Sequence, residues 1–425
     1  MIKLVIINHS FQKPDFYKRW KLLAHSHQDL DITLLAPAEW VWGAEKNLTY
    51  GSSEMIQGGE VEEERFRIHL IDMNKNRLGD WTSKKMEGEL LKIKPDFVYF
   101  IGVHLMLPIS QLIHIRKKNK CLHDMKILCF SMRGPSQTLH LPRRKKGLRK
   151  MPRSLIGYLY SQCKLKYFNR NVDVVFCHYP DAVEEFRKEG YRGPVFMQTQ
   201  VGVDPDIFYP SEEARRKIRD RYHIGDSYLF GSASRFHDSK GLSEVIQALP
   251  ATGNWKYLMM GWGRDDEVES IKQLIKERNL DDRIILTGYI DNWKDMAEHW
   301  NALDCAVHFP KTTEEWEETF SLALVQAMIT GLPVLGSSSG SVPYQIGPEG
   351  IIIKECDIIQ LREKMLDMMS HPEKGKIIGE KMRMRALKCF SIYSLNELFY
   401  STIIDIGHNI YDPWKMDMAN MMKEK

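Results

Sequence analysis

The chain has 425 residues, and 43% hydrophobic content fills the cores of two or three domains of that total length. Its 60 basic and 56 acidic residues leave a net charge of +4, so overall charge gives little reason for a polyanionic partner. No base-stacking or recognition-helix module points to nucleic acid.

Residues 1–8 read as a strand rather than a signal peptide, because the apolar run is short and no small-residue cleavage site follows. Further apolar, β-rich runs fall at 32–36, 67–71, 97–101, 127–130, 172–177 and 195–197. A second series falls at 228–232, 257–260, 284–286, 305–308, 333–335 and 351–353. Continuous apolar strands separated by helical stretches indicate parallel sheets covered on both faces. Two such series predict an α/β chain of two doubly wound domains, 1–200 and 201–391, with a final helical segment over 392–425. The turn-rich run from Gln198 to Pro210 marks the boundary.

The longest apolar stretch, 97–109, contains His104 and falls short of the ~20 residues a membrane span needs. Seven scattered cysteines, none in C-x-x-C, predict a reducing compartment with no zinc site and no disulfide framework. The expected location is therefore cytoplasmic. Between Arg143 and Arg153 lie seven cations in eleven residues, ahead of an apolar-aromatic helix holding Leu159, Tyr160, Tyr167 and Phe168. Such a run suits anionic headgroups, so peripheral attachment to a cytoplasmic membrane face is expected, against the plainer reading of a solvated basic loop.

Chemistry concentrates in the second series. Arg235 and Lys240 flank a small-residue loop after the 228–232 strand, and two cations five apart suit a diphosphate. Gly261-Trp262-Gly263 and Gly288-Tyr289-Ile290 follow the next two strands. Then come Glu318-Thr319-Phe320-Ser321-Leu322 and, eight residues after the glutamate, Gln326. On one helix, positions eight apart differ by about 80° around the axis, so both side chains would lean toward one polyhydroxylated ligand. Gly340-Ser341-Val342-Pro343 closes the set.

The ordered series Gly202-Val203-Asp204, Arg235 to Lys240-Gly241, Gly261-x-Gly263, Gly288-Tyr289-Ile290, Glu318-x-Phe320-x-Leu322, Gln326-Ala327-Met328 and Gly340-Ser341 resembles retaining glycosyltransferases of family 4. The similarity is strong over roughly 200–346 and looser before it. It implies the GT-B fold, with two Rossmann-like domains facing each other across a cleft and a C-terminal helix crossing back. It implies a nucleotide-sugar donor, UDP ahead of GDP, and a glycan, lipid-linked or small-molecule acceptor, with neither cofactor nor metal. Arg235 and Lys240 would stabilise the departing diphosphate. Glu318 would hold the donor sugar, with Phe320, Ser321 and Leu322 near sugar and phosphate. Gly288, Tyr289 and Ile290 would line the base. Gln326 stands where the family carries a second, ribose-gripping glutamate.

The first domain departs further from the family. Asn8 to Pro14 lacks the family's glycine-rich loop, and Ser131-Met132-Arg133-Gly134 replaces a donor-contacting histidine. Ser10, His104, Ser131 and Arg133 are the acceptor-side candidates. The strings Asp29-Leu30-Asp31 and Asp204-Pro205-Asp206 are read as chance rather than as metal motifs. A catalytically weak nucleotide-sugar-binding subunit, or another GT-B enzyme such as an epimerase or phosphorylase, is the competing reading.

Overall fold

A computed structural model describes the chain except for residues 12–13, 42–54, 58, 76–79, 133–150, 315 and 413–425. The fold divides into two units, one of residues 1–200 with the chain from Leu395, the other of 201–394.

In the first unit the main sheet holds β1 (Ile2–Ile7), β2 (Leu30–Pro37), β3 (Val61–Glu62), β4 (Phe66–Ile71), β5 (Phe97–Gly102), β6 (Lys126–Ser131), β7 (Val174–Cys177) and β8 (Val195–Met197). Their spatial order is β8-β7-β6-β5-β1-β2-β4-β3, all parallel except the edge pair β3–β4. β5 and β7 are buried on both faces, which is why they read as unbroken apolar runs, whereas β4 is only partly buried and β3 lies at the exposed edge. The short edge strand β3 and two small antiparallel ribbons, Glu39–Val41 with Met55–Gln57 and Asn74–Lys75 with Trp81–Thr82, escape sequence reading, being too short for periodicity to register.

The C-terminal helix Ile392–Gly407 contributes Phe399, Ile403 and Ile406 to this unit's core. Their spacing of four and three places them on one helical face. Phe399 stacks on Tyr99 of β5, with ring centroids 5.2 Å apart, and meets Trp20 edge-on at 5.4 Å. Burying three such side chains contributes roughly 5–9 kcal/mol as an upper bound.

The second unit has β9 (Tyr228–Arg235), β10 (Trp255–Trp262), β11 (Ile284–Gly288), β12 (Cys305–His308), β13 (Val334–Ser337) and β14 (Ile351–Ile353), all parallel. Their order is β11-β10-β9-β12-β13-β14, the 3-2-1-4-5-6 winding of a dinucleotide-binding sheet. Chain direction across the sheet reverses between β9 and β12, and ligands of such sheets bind outside the carboxyl ends of the strands at that point. Arg235 ends β9, and His308 ends β12.

Among the described residues no helix is long and apolar enough to cross a membrane. Among the described residues no cysteine is in a disulfide, and four of the seven are buried as small apolar side chains.

Candidate active site at the β9–β12 switch point

Two tight turns shape the crevice. After β9 a single 3-10 turn, Asp238–Lys240, ends at Gly241, whose φ of +66° leads into the helix Leu242–Ala248. A Cβ on Gly241 would lie 1.9 Å from the Phe309 carbonyl oxygen, so only glycine lets the turn lie against the segment leaving β12. After β13 the chain turns at Gly340, φ +47°, where a Cβ would meet the Glu318 carbonyl oxygen at 2.2 Å. The next amide, Ser341 N–H, donates to that same oxygen at 2.7 Å. The backbone of Glu318 is thus fixed from the neighbouring loop.

The Glu318 carboxyl is 5% exposed. Lys240 Nζ donates to its Oε2 at 2.6 Å, and His308 Nε2 lies 3.6 Å from the same oxygen, beyond hydrogen-bonding range. Burial pushes the carboxyl pKa up, but His308 and Lys240 outweigh burial and hold it at about 2, so it is ionised throughout the physiological range. Lys240 also sits over the Trp316 ring, 4.2 Å from its centroid. Oε1 takes no hydrogen bond from any described residue.

Glu318 does not belong to the helix that carries Gln326. Ser321 is the N-cap, its Oγ accepting from Leu324 N–H at 3.2 Å, and the helix runs Leu322–Ile329. The 80° helical relation between the two side chains therefore does not apply, and Glu318 is placed by loop contacts instead. The Ser321 amide is occupied by Gln345 Oε1 at 2.9 Å, while Gln345 Nε2 donates to the Ser321 carbonyl at 3.0 Å. The amides of Leu322 and Ala323, the first two of the helix, donate no hydrogen bond to any described residue. They add two donors and the positive end of a helix dipole beside the carboxylate.

Gln326 is 5% exposed, and its Oε1 accepts from Trp300 Nε1 at 3.3 Å. The indole thereby orients the amide, leaving the Nε2 hydrogens for a ligand. The half-buried Arg235 guanidinium makes no hydrogen bond or ion pair with any described residue. Across the sheet, Arg235 pairs in register with Trp262 of β10, whose ring meets the half-exposed Tyr289 edge-on at 6.3 Å. Tyr289 follows Gly288, whose φ of +74° turns the chain at the end of β11, and Ile290 follows it. Arg235, Lys240, Glu318 and the helix start occupy the switch point. Gly288, Tyr289 and Ile290 lie two strands away, joined to it through Trp262. Phe320 is half-buried, with its ring 5.8 Å from Phe390.

In the first unit, Ser10, His104 and Ser131 follow or end β1, β5 and β6, at and beside that sheet's own reversal between β1 and β5. His104 is 1% exposed and its Nδ1 lies 2.9 Å from Ser131 Oγ, between the edges of Phe168 and Phe186. Burial, helped by the charge of Lys164, lowers its pKa to about 3, so the imidazole is neutral. His104 and Ser131 both sit in the interior, while Ser10 is half-buried and its amide donates to Asn8 Oδ1 at 2.6 Å. Arg133 and residues 143–150 of the basic run lie outside the described residues.

The D-x-D strings have structural employment. Asp29 accepts from Tyr400 Oη at 2.8 Å, and Asp31 pairs with Arg67. Asp204 Oδ1 accepts the Asp206 amide at 2.9 Å, and Asp206 pairs with Tyr393 Oη. Among the described residues no group of three or more His, Cys, Asp or Glu side chains gathers as a metal site.

Sequence reading missed His308, Trp300 and Trp316. The signal for His308 was its place as the last residue of a strand that the 3-2-1-4-5-6 order sets beside β9. No periodic signal marks the two tryptophans.

The family model described as glycosyl transferases group 1 matches residues 214–385. A GDP-mannose-dependent alpha-(1-6)-phosphatidylinositol monomannoside mannosyltransferase of Mycolicibacterium smegmatis is 22% identical over 67% of this chain and 77% of its own. The N-acetyl-alpha-D-glucosaminyl L-malate synthase of Bacillus anthracis is 24% identical over 48% of this chain, and the chain spans about half of that relative, 52%. Sucrose-phosphate synthase from Thermosynechococcus elongatus superposes with a TM-score of 0.68 at 15% identity, over 96% of this chain and 100% of its own. Residues 214–385 are thus similar to the glycosyl transferases of group 1, and the two doubly wound units carry the GT-B fold.

Proposed function

We propose that the chain transfers a sugar, with retention of anomeric configuration, from a nucleoside diphosphate sugar to a glycan, lipid-linked or small-molecule acceptor. The observation that carries this reading is the Arg235 guanidinium, which has no hydrogen bond or ion pair with any described residue, five residues from Lys240 and at the same sheet end as a helix start whose first two amides have no described partner. Those four donors suit charge growing on a departing diphosphate. Glu318 Oε1 is the acceptor for a hydroxyl of the donor sugar. The base lies along Tyr289 and Trp262, and the ribose reaches Gln326. In a front-face reaction the bond from the anomeric carbon to the phosphate oxygen breaks, and the acceptor oxygen bonds to that carbon from the same side. The acceptor proton passes to the departing phosphate oxygen, so no separate base is needed. The two cations supply the neutralisation that a metal supplies in other transferases.

Calorimetric titration with UDP, GDP and ADP, followed by donor-hydrolysis assays, tests the reading. Binding of one nucleotide together with slow hydrolysis of its sugar conjugate supports it. A chain that binds none of the three is no transferase of this kind. The preference for uridine has no residue of this structure behind it, so the titration with UDP and GDP decides it.

Replacing Gln326 with Glu should tighten nucleotide binding. The carboxylate would accept the Trp300 N–H and a ribose hydroxyl together, both charge-assisted. Such bonds exceed neutral ones by about 1 kcal/mol, a five- to tenfold fall in Kd. Weaker binding by Gln326→Glu would remove the ribose from this position.

The run from Arg143 to Arg153 and the helix Met151–Asn171, with Leu159 and Tyr160 more than half exposed, form the proposed contact with an anionic lipid surface. In sedimentation with vesicles, the protein should pellet with anionic lipid and stay in solution with neutral lipid. Equal recovery in both contradicts it.

A further inference from the structure

One imidazole faces the carboxylate without hydrogen-bonding it. His308 is 8% exposed, and its Nε2 is a buried nitrogen without a hydrogen-bond partner among the described residues. A buried polar atom left unpaired is destabilising, so its retention calls for a reason. Nε2 lies 3.6 Å from Glu318 Oε2, the oxygen that Lys240 already holds at 2.6 Å. Lys240, on the turn after β9, and His308, at the end of the neighbouring β12, therefore converge on one oxygen, while the other takes no hydrogen bond from any described residue.

The arrangement poses a conflict for the reading above, on which this inference rests. Lys240 cannot stay on Glu318 at 2.6 Å and also give its full charge to a diphosphate. Once it swings to the phosphate, the buried carboxylate loses its closest partner just when its Oε1 must hold a sugar hydroxyl in place. An ionised carboxylate in that setting needs another donor.

We propose that His308 is the positioning residue that takes over Glu318 when Lys240 moves to the phosphate. With its proton on Nε2, the ring closes the gap of a few tenths of an ångström from 3.6 Å to hydrogen-bonding distance on the same Oε2. The carboxylate keeps its orientation, and Oε1 stays aimed at the sugar. Lys240 and His308 are thus alternate partners of one oxygen, the first in the empty site and the second in the loaded one. His308 touches no substrate, and its effect reaches the sugar only through Glu318.

Two amide substitutions that differ in reach test this. The Nε2 of His308→Gln extends to where the imidazole Nε2 stands, whereas the amide of His308→Asn stops a bond short of it. Donor hydrolysis and calorimetric Kd for UDP or GDP are measured on both, with thermal melts to confirm folding. The expected result is that His308→Gln keeps at least about a fifth of wild-type kcat, while His308→Asn falls at least about thirtyfold. The Kd for free nucleotide should stay within about threefold in both, because the phosphate partner is Lys240. Equal kcat in the two variants overturns the proposal, and so does a nucleotide Kd that weakens in step with kcat. If His308→Asn fails to fold, loss of turnover in a folded His308→Gln overturns it alone. A wild-type chain that binds no nucleotide instead overturns the transferase reading, a separate result.

Discussion

Glu318→Ala should lower donor-sugar turnover by two to three orders of magnitude while leaving nucleotide affinity intact or improved. The carboxylate is buried and ionised, and one of its oxygens is unengaged. A hydrogen bond from a sugar hydroxyl to such a group is charge-assisted, and it acts where little water screens it. Removing an interaction of this class from a developing transition state costs about 3–4 kcal/mol, or roughly 100- to 1000-fold in rate. The opposite effect on the nucleotide follows from the 2.6 Å ion pair. Without Glu318, the Lys240 ammonium loses its competing partner and turns wholly to the diphosphate. Initial rates and calorimetry on the same preparation separate the two effects. Turnover within threefold of wild type would contradict the assignment of Glu318 to the sugar.

Arg19→Met should markedly destabilise the first unit, although the residue lies outside the site. Arg19 is 4% exposed and forms no ion pair with any described residue. Its Nε donates to Asn396 Oδ1 at 2.8 Å, one terminal nitrogen to the Gln200 carbonyl at 2.8 Å, and the other to the Leu395 carbonyl at 3.0 Å. Asn396 Nδ2 returns a bond to the Arg19 carbonyl at 3.0 Å, and the guanidinium lies 4.6 Å from the centre of the Trp20 ring. Burial lowers its pKa to about 9, which leaves it charged at neutral pH. The residue therefore ties the end of the first unit's continuous chain, at Gln200, to the start of its returning helix at Leu395. Methionine fills similar volume but orphans three buried acceptors, each costing about 1–3 kcal/mol, partly offset by the desolvation no longer needed for the cation. A net loss of about 3 kcal/mol is expected, read as a lower urea midpoint of the first unit's transition. A shift worth less than 1 kcal/mol would show that these bonds add nothing net.

The fold was legible because its strands are buried on both faces. The run 97–101 has no polar side to confuse its period and lies within a residue of β5, whereas 228–232 finds the start of β9 and stops three residues before its end at Arg235. Of the site, the residues visible in sequence are those whose types are unusual for their position: paired cations after a strand, and a lone carboxylate between apolar segments. What stayed hidden depends on spatial neighbours. Trp300 and Gln326 are 26 residues apart, and His308 meets Glu318 across a loop. Arg19 reads in sequence as an ordinary helix cation, and only its partners 181, 376 and 377 residues away reveal that it is buried. The helical relation assumed for Glu318 and Gln326 failed because Ser321 caps the helix three residues after the glutamate.

On the proposed reading the crevice at the carboxyl ends of β9 and β12 holds a diphosphate against Arg235, which has no ion pair with any described residue. Calorimetric titration of UDP and GDP into wild type and Arg235→Ala tests this most directly. The account predicts measurable binding of one nucleotide by wild type and a loss of about 1.5–3 kcal/mol in the variant, a Kd some 10- to 150-fold weaker at unchanged melting temperature. Equal affinities in the two proteins would contradict it.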